Sequence, residues 1–174
     1  MNEEAIIRRD RMRFTRNKLT ANLAILAILF NVFYFVSLYQ SDVGTYYYNI
    51  LTGASIIYNV LFMLTAFLSS EGVKNYKKNY TWPLLLLGAM QIVRIFIIPT
   101  RAHNTMVSLG GVETPVMSNA KFTFQVVCLA VSAVCLFASA VVNFAKCTAL
   151  EAHVKSMEEN AAQGAEALPE KSAL

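Results

Sequence analysis

The sequence predicts an all-α integral membrane protein, a bundle of four transmembrane helices with both termini in the cytoplasm. Hydrophobic residues make up 56% of the chain and charged residues only 15%, whereas an average soluble domain carries about 25% charged residues. Four apolar stretches are long enough to cross a bilayer, and most of the 15 Lys and Arg residues fall on one side of them. This composition excludes a soluble enzyme and a disordered regulator, which needs low hydrophobicity and high net charge.

The four predicted spans are 19–39, 46–68, 82–99 and 122–145. A bilayer core about 30 Å thick needs roughly 20 mostly apolar residues per helical crossing, and in lipid each span must satisfy its own backbone hydrogen bonds as a helix. Helices of a soluble bundle are the alternative, and they need a polar stripe that faces water. Only the third stretch contains a charge, Arg94, so we favour membrane spans.

Charge placement orients these spans. The chain divides into a basic N-terminal segment, a transmembrane domain and a tail, at 1–18, 19–145 and 146–174. Cations are frequent in the first and last of these and in loop 69–81, whereas loop 100–121 has only Arg101 and Lys121. The positive-inside rule then places both termini in the cytoplasm. A plasma membrane, of the bacterial inner-membrane type, is the expected location, since no long luminal domain or cleavable signal is evident.

The basic N-terminal segment has two interpretations. Its cations are Arg8, Arg9, Arg11, Arg13, Arg16 and Lys18. They are candidates to contact anionic lipid at the cytoplasmic face, with about 1 kcal/mol for each cation near the surface. The alternative is that they only set the orientation of insertion. Nucleic-acid binding is not expected, because the net charge is only +4 and no reading motif is present.

The tail after Ala145 continues the fourth helical pattern into the cytoplasm. Leu150, Val154 and Met157 recur at i, i+4 and i+7, which indicates one apolar face. This face either docks on the second loop or binds a partner. From about Asn160 the composition turns to Ala, Glu, Gly and Pro, and we expect a frayed or disordered end there.

The loop between the third and fourth spans contains Gly110-Gly111 between two short runs of residues that favour strands. A Gly-Gly pair in this position is typical of a β-hairpin. An irregular loop that covers the mouth of the bundle is the alternative interpretation.

The third span carries the first candidate site. Gln91, Arg94 and Arg101 follow one helical face at i, i+3 and i+10, and Pro99 frees the carbonyl group of Ile95. This basic stripe is a candidate site for an anion, for a lipid headgroup or for a carboxylate of another subunit. In the alternative interpretation, Arg94 snorkels to the outer headgroups or bonds to Asn and Tyr side chains within the bundle.

Polar residues in the other spans form a second candidate set. They are Asn31, Tyr34, Tyr58, Asn59 and Asn143. Together they are expected to form an interhelical hydrogen-bond network, in which each bond contributes roughly 0.6 kcal/mol on average in a membrane. Structural stabilisation is the default role of such a network, and a path for a solute is the alternative.

Small residues define a stripe on the fourth span, at Cys128, Ser132, Cys135 and Ser139. Small side chains let membrane helices approach closely. The fourth helix therefore either packs centrally in this bundle or presents the stripe to a partner. We expect the cysteines to be small apolar fillers.

The sequence offers little chemistry. The spans contain no Asp or Glu, His103 and His153 lie on opposite sides of the predicted membrane, and there is no glycine-rich phosphate loop. We therefore expect no metal, no cofactor and no enzymatic activity. The expected function is that of a small accessory or assembly subunit of a larger membrane complex. Its partner is the lipid bilayer together with another membrane protein or further copies of itself. The alternative is an oligomeric channel or anion carrier that uses Gln91, Arg94 and Arg101.

Overall fold

The computed structural model describes residues 16–39, 46–109, 112–115 and 117–166. The chain forms, in order, α1 (Lys18–Tyr39), α2 (Tyr46–Lys74), a short 3-10 helix (Lys78–Tyr80), α3 (Thr81–Ile97), α4 (Pro99–Asn104), β1 (Met106–Leu109), β2 (Val112–Pro115) and α5 (Asn119–Glu166). Four helical stretches, found in α1, α2, α3 with α4, and α5, are long and apolar enough to cross a membrane. The prediction of an all-helical bundle with four such helices is thus confirmed at this level.

The third predicted span, 82–99, is not one straight helix, because its first helix ends before Pro99. Pro99 cannot donate a backbone hydrogen bond, so α3 ends at Ile97 and the chain turns at Ile98 before α4 begins. The hydroxyl group of Thr100 donates to the carbonyl oxygen of Ile95 at 2.9 Å. This bond satisfies the carbonyl group that the sequence predicted to be free.

The four long helices form a ring. Helix α1 packs along α2 and α5, and α3 packs along α5, while the contact between α2 and α3 is much sparser. Helices α1 and α3 therefore lie diagonally across the bundle. The main apolar core is buried between the four long helices and consists of Ala24, Ala27, Phe62, Ala66, Val73, Leu84, Leu87, Cys135, Leu136 and Ala140.

A short hairpin joins α4 to α5. Its strands pair antiparallel, with Met106 opposite Pro115 and Leu109 opposite Val112, so the hairpin interpretation of this loop is confirmed. Gly110-Gly111 lies outside the described residues. Among the described residues this is the only β-structure. It marks one end of the bundle, which we call the hairpin end, and the opposite end is the tail end.

Helix α5 is much longer than its span. It continues through residue 146, where the predicted tail begins, and past Asn160, where we expected a frayed end, as far as Glu166. Its base rests on the second loop: the ammonium group of Lys78 pairs with Glu151 at 3.0 Å, and the thiol of Cys147 donates to the carbonyl oxygen of Tyr76 at 3.3 Å. We call residues 147–166 the α5 extension.

The turn after α2 depends on Gly72. The ring of Tyr80 occupies the position that a Cβ atom at Gly72 would take, and Tyr76 turns the chain with a φ of 56°. Because the Tyr80 ring rests directly on the α2 backbone, the second loop is held close to the tail end of the bundle.

The substitution Gly72→Ala is expected to lower the free energy of unfolding by about 1–2 kcal/mol, because displacement of the Tyr80 ring costs more than the gain in helix propensity. Unfolding in mixed micelles with rising dodecyl sulfate measures this change. Gly53→Ala is the matched control in the same helix, since a Cβ atom there meets nothing within 4 Å. An equal effect of the two substitutions would contradict the role of the Tyr80 ring.

Candidate buried arginine site

Arg94 lies inside the bundle. Helix α3 directs it towards α1 and α2, and its side chain is only 5% exposed. One terminal nitrogen, Nη1, donates to Asn31 Oδ1 at 3.0 Å and to Gln91 Oε1 at 3.3 Å. The other, Nη2, donates to Ser55 Oγ at 3.0 Å. Arg94 therefore does not snorkel to the membrane surface but bonds to side chains within the bundle.

Two tyrosine rings flank the guanidinium group. The centres of the Tyr34 and Tyr58 rings lie 4.5 Å and 4.6 Å from Arg94 Cζ, within the distance at which the electron-rich face of a ring attracts a cation. The hydroxyl group of Tyr58 has no hydrogen-bond partner among the described residues. The rings contribute to the stabilisation of the positive charge, and the Tyr58 hydroxyl group is left to interact with something else.

Asn31 is the centre of the hydrogen bonds around Arg94. Its Oδ1 atom also accepts from Gln91 Nε2 at 3.1 Å, and its Nδ2 atom donates to Asn59 Oδ1 at 3.0 Å. Gln91 Nε2 reaches Ser132 Oγ at 3.3 Å. Helices α1, α2, α3 and α5 thus each contribute to one connected set. We call it the Arg94 cluster, and its members are Asn31, Ser55, Asn59, Gln91, Arg94 and Ser132.

Among the described residues, the charge of Arg94 is met only by neutral groups. The spans contain no Asp or Glu, and the ion pairs found in the described part of the chain, such as Lys74–Glu71 and Lys78–Glu151, lie at the tail end. A cation within the bilayer is costly unless polar groups surround it. The cluster supplies such groups, but it leaves a net positive charge that complements an anion. It contains no carboxylate or imidazole for acid–base chemistry.

A cleft connects Arg94 with the outside of the bundle, where α2 and α3 are most loosely packed. Its volume is about 230 Å³, and it is lined by Ala54, Ser55, Tyr58, Met90, Val93, Arg94, Ile97 and Ile98. Arg94 and Ser55 are buried, whereas Met90 and Val93 are 38% and 47% exposed. The surface of the cleft is therefore almost entirely apolar, and the buried Arg94 and Ser55 lie behind its inner end.

Arg101 is not part of this site. It lies on α4, beyond the break at Ile98, and is exposed. The predicted stripe assumed a straight helix from Gln91 to Arg101, and Pro99 interrupts that helix. The structure thus brings together Gln91 and Arg94 and leaves Arg101 at the hairpin end.

The predicted amide network is divided in two. Asn31, Tyr34, Tyr58 and Asn59 converge around Arg94, whereas Asn143 lies about 16 Å further along α5 than Ser132. The expectation of a single network was therefore wrong for Asn143. Because one face of α5 runs along the whole bundle, residues on that face meet different neighbours at each end.

The second set of hydrogen bonds lies at the tail end. Asn143 Nδ2 donates to Thr81 Oγ1 at 2.9 Å, and Lys146 Nζ donates to Asn17 Oδ1 at 3.0 Å. Asn17 also donates from its backbone to the carbonyl oxygen of Lys74 at 2.9 Å. These bonds fix the start of α1 to the base of α5. Nearby, burial and then the Cys147 thiol raise the pKa of Tyr76 above its ordinary value, so this phenol is neutral at physiological pH.

The stripe of small residues on α5 faces the interior. Cys128, Ser132, Cys135 and Ser139 are all buried. Ser132 Oγ donates to the carbonyl oxygen of Ala27 at 3.0 Å, and Ser139 Oγ donates to that of Thr20 at 2.9 Å. Of the two interpretations, central packing against α1 describes this arrangement, and the stripe is not presented to a partner. All three cysteines are free and buried.

Sequence reasoning missed Ser55 and Asn17. Ser55 precedes Asn59 by one helical turn and therefore shares its face, which was the available signal. Asn17 lies just before the first span, where nothing in the sequence indicated burial.

The remaining predicted residues are less informative. Arg8, Arg9, Arg11 and Arg13 lie outside the described residues, while Arg16 and Lys18 are exposed at the start of α1. In the described part of the chain, no three His, Cys, Asp or Glu side chains are grouped so that they could hold a metal ion.

Comparison of the chain with protein-family models, with curated proteins and with solved structures gave no match in any of the three. The proposed function is therefore based on the structure alone.

Proposed function

We propose that this chain is a non-catalytic accessory or assembly subunit of a larger membrane complex, in a plasma membrane, with both termini in the cytoplasm. The observation that carries the proposal is the α5 extension, a helix that leaves the bundle with apolar side chains exposed. Val154 and Met157 are 47% and 50% exposed, although they lie beyond the apolar spans. Apolar residues in such a position favour contact with another protein.

The geometry of the tail end supports a position of this face outside the membrane. The bond between Asn143 and Thr81 aligns the start of α3 with Asn143, so residues after about 146 extend past the third span. From there to Glu166 a helix is about 30 Å long. The pair Lys78–Glu151 fixes its base. The extension therefore projects as a helix whose base lies against the second loop.

The partner's chemistry follows from the residues of the extension. Val154 and Met157 form an apolar edge, and Glu158 lies next to it on the exposed surface. A groove with an apolar floor and a basic rim complements this arrangement, as in other complexes where an amphipathic helix enters a groove. We place that groove on the cytoplasmic part of a membrane protein. Anionic lipid headgroups contact the cations of the same end, among them the exposed Arg16 and Lys18.

Photo-crosslinking in native membranes tests this proposal. A photoreactive residue in place of Val154 or Met157 is expected to give one specific heavier product, whose second component is a membrane protein. Ala152 is the matched control, because it is exposed and lies about 200° around the helix from Val154. With the photoreactive residue at position 157, Val154→Asp is expected to abolish the product. Met157→Asp is expected to do the same when the photoreactive residue is at position 154.

The position of the crosslinks decides the outcome. Products of equal yield at positions 152, 154 and 157 would contradict a docking face. A product with twice the mass of this chain would show self-association and would overturn the assignment to a larger complex. Absence of any product from folded protein at both apolar positions would argue equally against the proposal.

The interior of the bundle does not support a path for a solute through a single copy of the chain. Ala24, Leu84 and Leu136 are part of an apolar layer on the tail side of the Arg94 cluster, while Leu38 and Leu129 belong to a second layer on the hairpin side. A pore through one bundle needs a polar path. Here the described polar residues form separate sets with apolar layers between them.

A further inference from the structure

We propose that the cleft between α2 and α3 binds the acidic head of a single-chain amphiphile, a long-chain carboxylate, with Arg94 as its counter-ion. This site is independent of the α5 extension, and it goes beyond the role as an accessory subunit. Three observations carry the inference: a cation without an acidic partner among the described residues, the unused hydroxyl donor of Tyr58 next to it, and an apolar wall that leads to the outside.

The charge of Arg94 selects an anion. Arg94 is only 5% exposed as a residue, and its guanidinium group is held by Asn31 and Ser55 in one orientation, so its donors are prepositioned. Hydrogen bonds between charged partners are about twice as strong as those between neutral ones. Since no acid occurs in the spans of this chain, the chain itself supplies no carboxylate for Arg94 at this depth, and a bound anion can take that place.

The hydroxyl group of Tyr58 adds a second donor. Tyr58 and Arg94 line the same cleft, their ring and guanidinium carbon are 4.6 Å apart, and Tyr58 Oη has no hydrogen-bond partner among the described residues. A buried hydroxyl group without a partner is costly. A carboxylate beside Arg94 Nη2 can accept from both groups, which removes this cost.

The apolar wall selects an amphiphile. Met90, Val93 and Ile97 lead from Arg94 to the exposed surface of α3, with Ala54 opposite them on α2. A water-soluble anion gains nothing from this wall, whereas an alkyl chain does. The cleft opens on the flank of two helices suited to a membrane, so a ligand dissolved in the bilayer reaches it directly.

The size of the cleft selects a single chain. Its volume of about 230 Å³ corresponds to about eight water molecules at ~30 Å³ each. This space holds a carboxylate and the first part of one alkyl chain, and the rest of the chain lies along α2 and α3 outside. The branched headgroup and two chains of a phospholipid are too large for it.

Equilibrium binding of radiolabelled oleate to the purified full-length chain in an uncharged detergent tests the inference. We expect saturable binding of one oleate per chain. Oleyl alcohol, which has the same chain without the charge, and acetate, which has the charge without the chain, are expected to compete at least tenfold less well than unlabelled oleate. Phosphatidylglycerol, an anionic phospholipid, is expected to compete equally poorly.

Variants locate the site. Arg94→Gln is expected to weaken binding about tenfold or more, the effect of one or two charge-assisted bonds, and Tyr58→Phe about three- to tenfold. Ala54→Phe fills the cleft from its rim, without loss of a hydrogen bond, and is expected to abolish binding. Ala89→Phe is its matched control, because Ala89 is exposed on α3 but does not line the cleft, and Arg101→Gln is the control for a loss of charge. Neither control is expected to change binding.

Three results would overturn the inference. They are equal competition by oleyl alcohol, tighter binding of phosphatidylglycerol than of oleate, and unchanged binding in Ala54→Phe. If Arg94→Gln does not fold, Tyr58→Phe and Ala54→Phe decide the question, since both leave the Arg94 hydrogen bonds in place. Absence of oleate binding to folded wild-type protein contradicts only this site, because the crosslinks of the α5 extension are measured separately.

Discussion

Replacement of Asn31 by leucine is expected to lower the free energy of unfolding by about 3 kcal/mol, among the largest effects of a single substitution in this bundle. Asn31 Oδ1 accepts from Arg94 and Gln91, and Asn31 Nδ2 donates to Asn59. Leucine has a similar volume but accepts nothing. The substitution therefore removes three hydrogen bonds and leaves the charge of Arg94 buried with fewer oxygen atoms around it.

A double-mutant cycle separates the loss of the hydrogen bonds from the effect of the buried Arg94 charge. Arg94→Met, combined with Asn31→Leu, removes the charge that needs the acceptor, so the double variant is expected to be more stable than Asn31→Leu alone. Asn59→Leu is the matched comparison, because Asn59 is equally buried but its hydrogen bonds in the described part of the chain go to Asn31 and Ser55 and not to Arg94, and a loss of about 1 kcal/mol is expected. Titration with dodecyl sulfate in mixed micelles measures all five proteins: the wild type, Asn31→Leu, Arg94→Met, the double variant and Asn59→Leu. Equal losses in Asn31→Leu and Asn59→Leu would show that the charge is not the decisive element.

The spans could be predicted from sequence because lipid imposes a simple constraint. A helix that faces lipid on one side must be apolar over about 20 residues, and this signal is local in the chain. The hairpin was predictable for a similar reason, since a Gly-Gly pair favours a tight turn whatever surrounds it. The proline at position 99 also acts locally, through the carbonyl group of Ile95.

The membership of the Arg94 cluster was only partly predictable. Asn31, Asn59 and Gln91 stood out because amides are costly in lipid. Which of them meet depends on the rotation of each helix and on the order of the helices around the ring, and neither quantity is local. Asn143 shows the limit of prediction from sequence. It contacts Thr81 because of the position at which α3 begins in the bundle. The cleft was beyond prediction, because it results from the sparse contact between two particular helices.

The substitution Ser132→Leu is expected to separate α1 from α5 and to lower the free energy of unfolding by about 3 kcal/mol or more. Ser132 is fully buried, and its hydroxyl group donates to the carbonyl oxygen of Ala27 at 3.0 Å. A contact between a side chain and a backbone carbonyl group requires close helices, and Ala24 and Ala27 on α1 permit it. Leucine has no space at this contact. It also removes an acceptor of Gln91 Nε2, so the Arg94 cluster loses one of its supports.

Two further variants distinguish volume from hydrogen bonding. Ser132→Ala removes the same bonds without added volume, and it is expected to cost about 1 kcal/mol. Val134→Leu adds volume two residues away, where the side chain is 65% exposed, and it is expected to be neutral. The buried thiols give a direct readout: Cys128 and Cys135 should react with a maleimide faster in folded Ser132→Leu than in either variant. Slow labelling and wild-type stability in Ser132→Leu would contradict this reasoning, because they would mean that α1 and α5 are far enough apart for a large side chain between them.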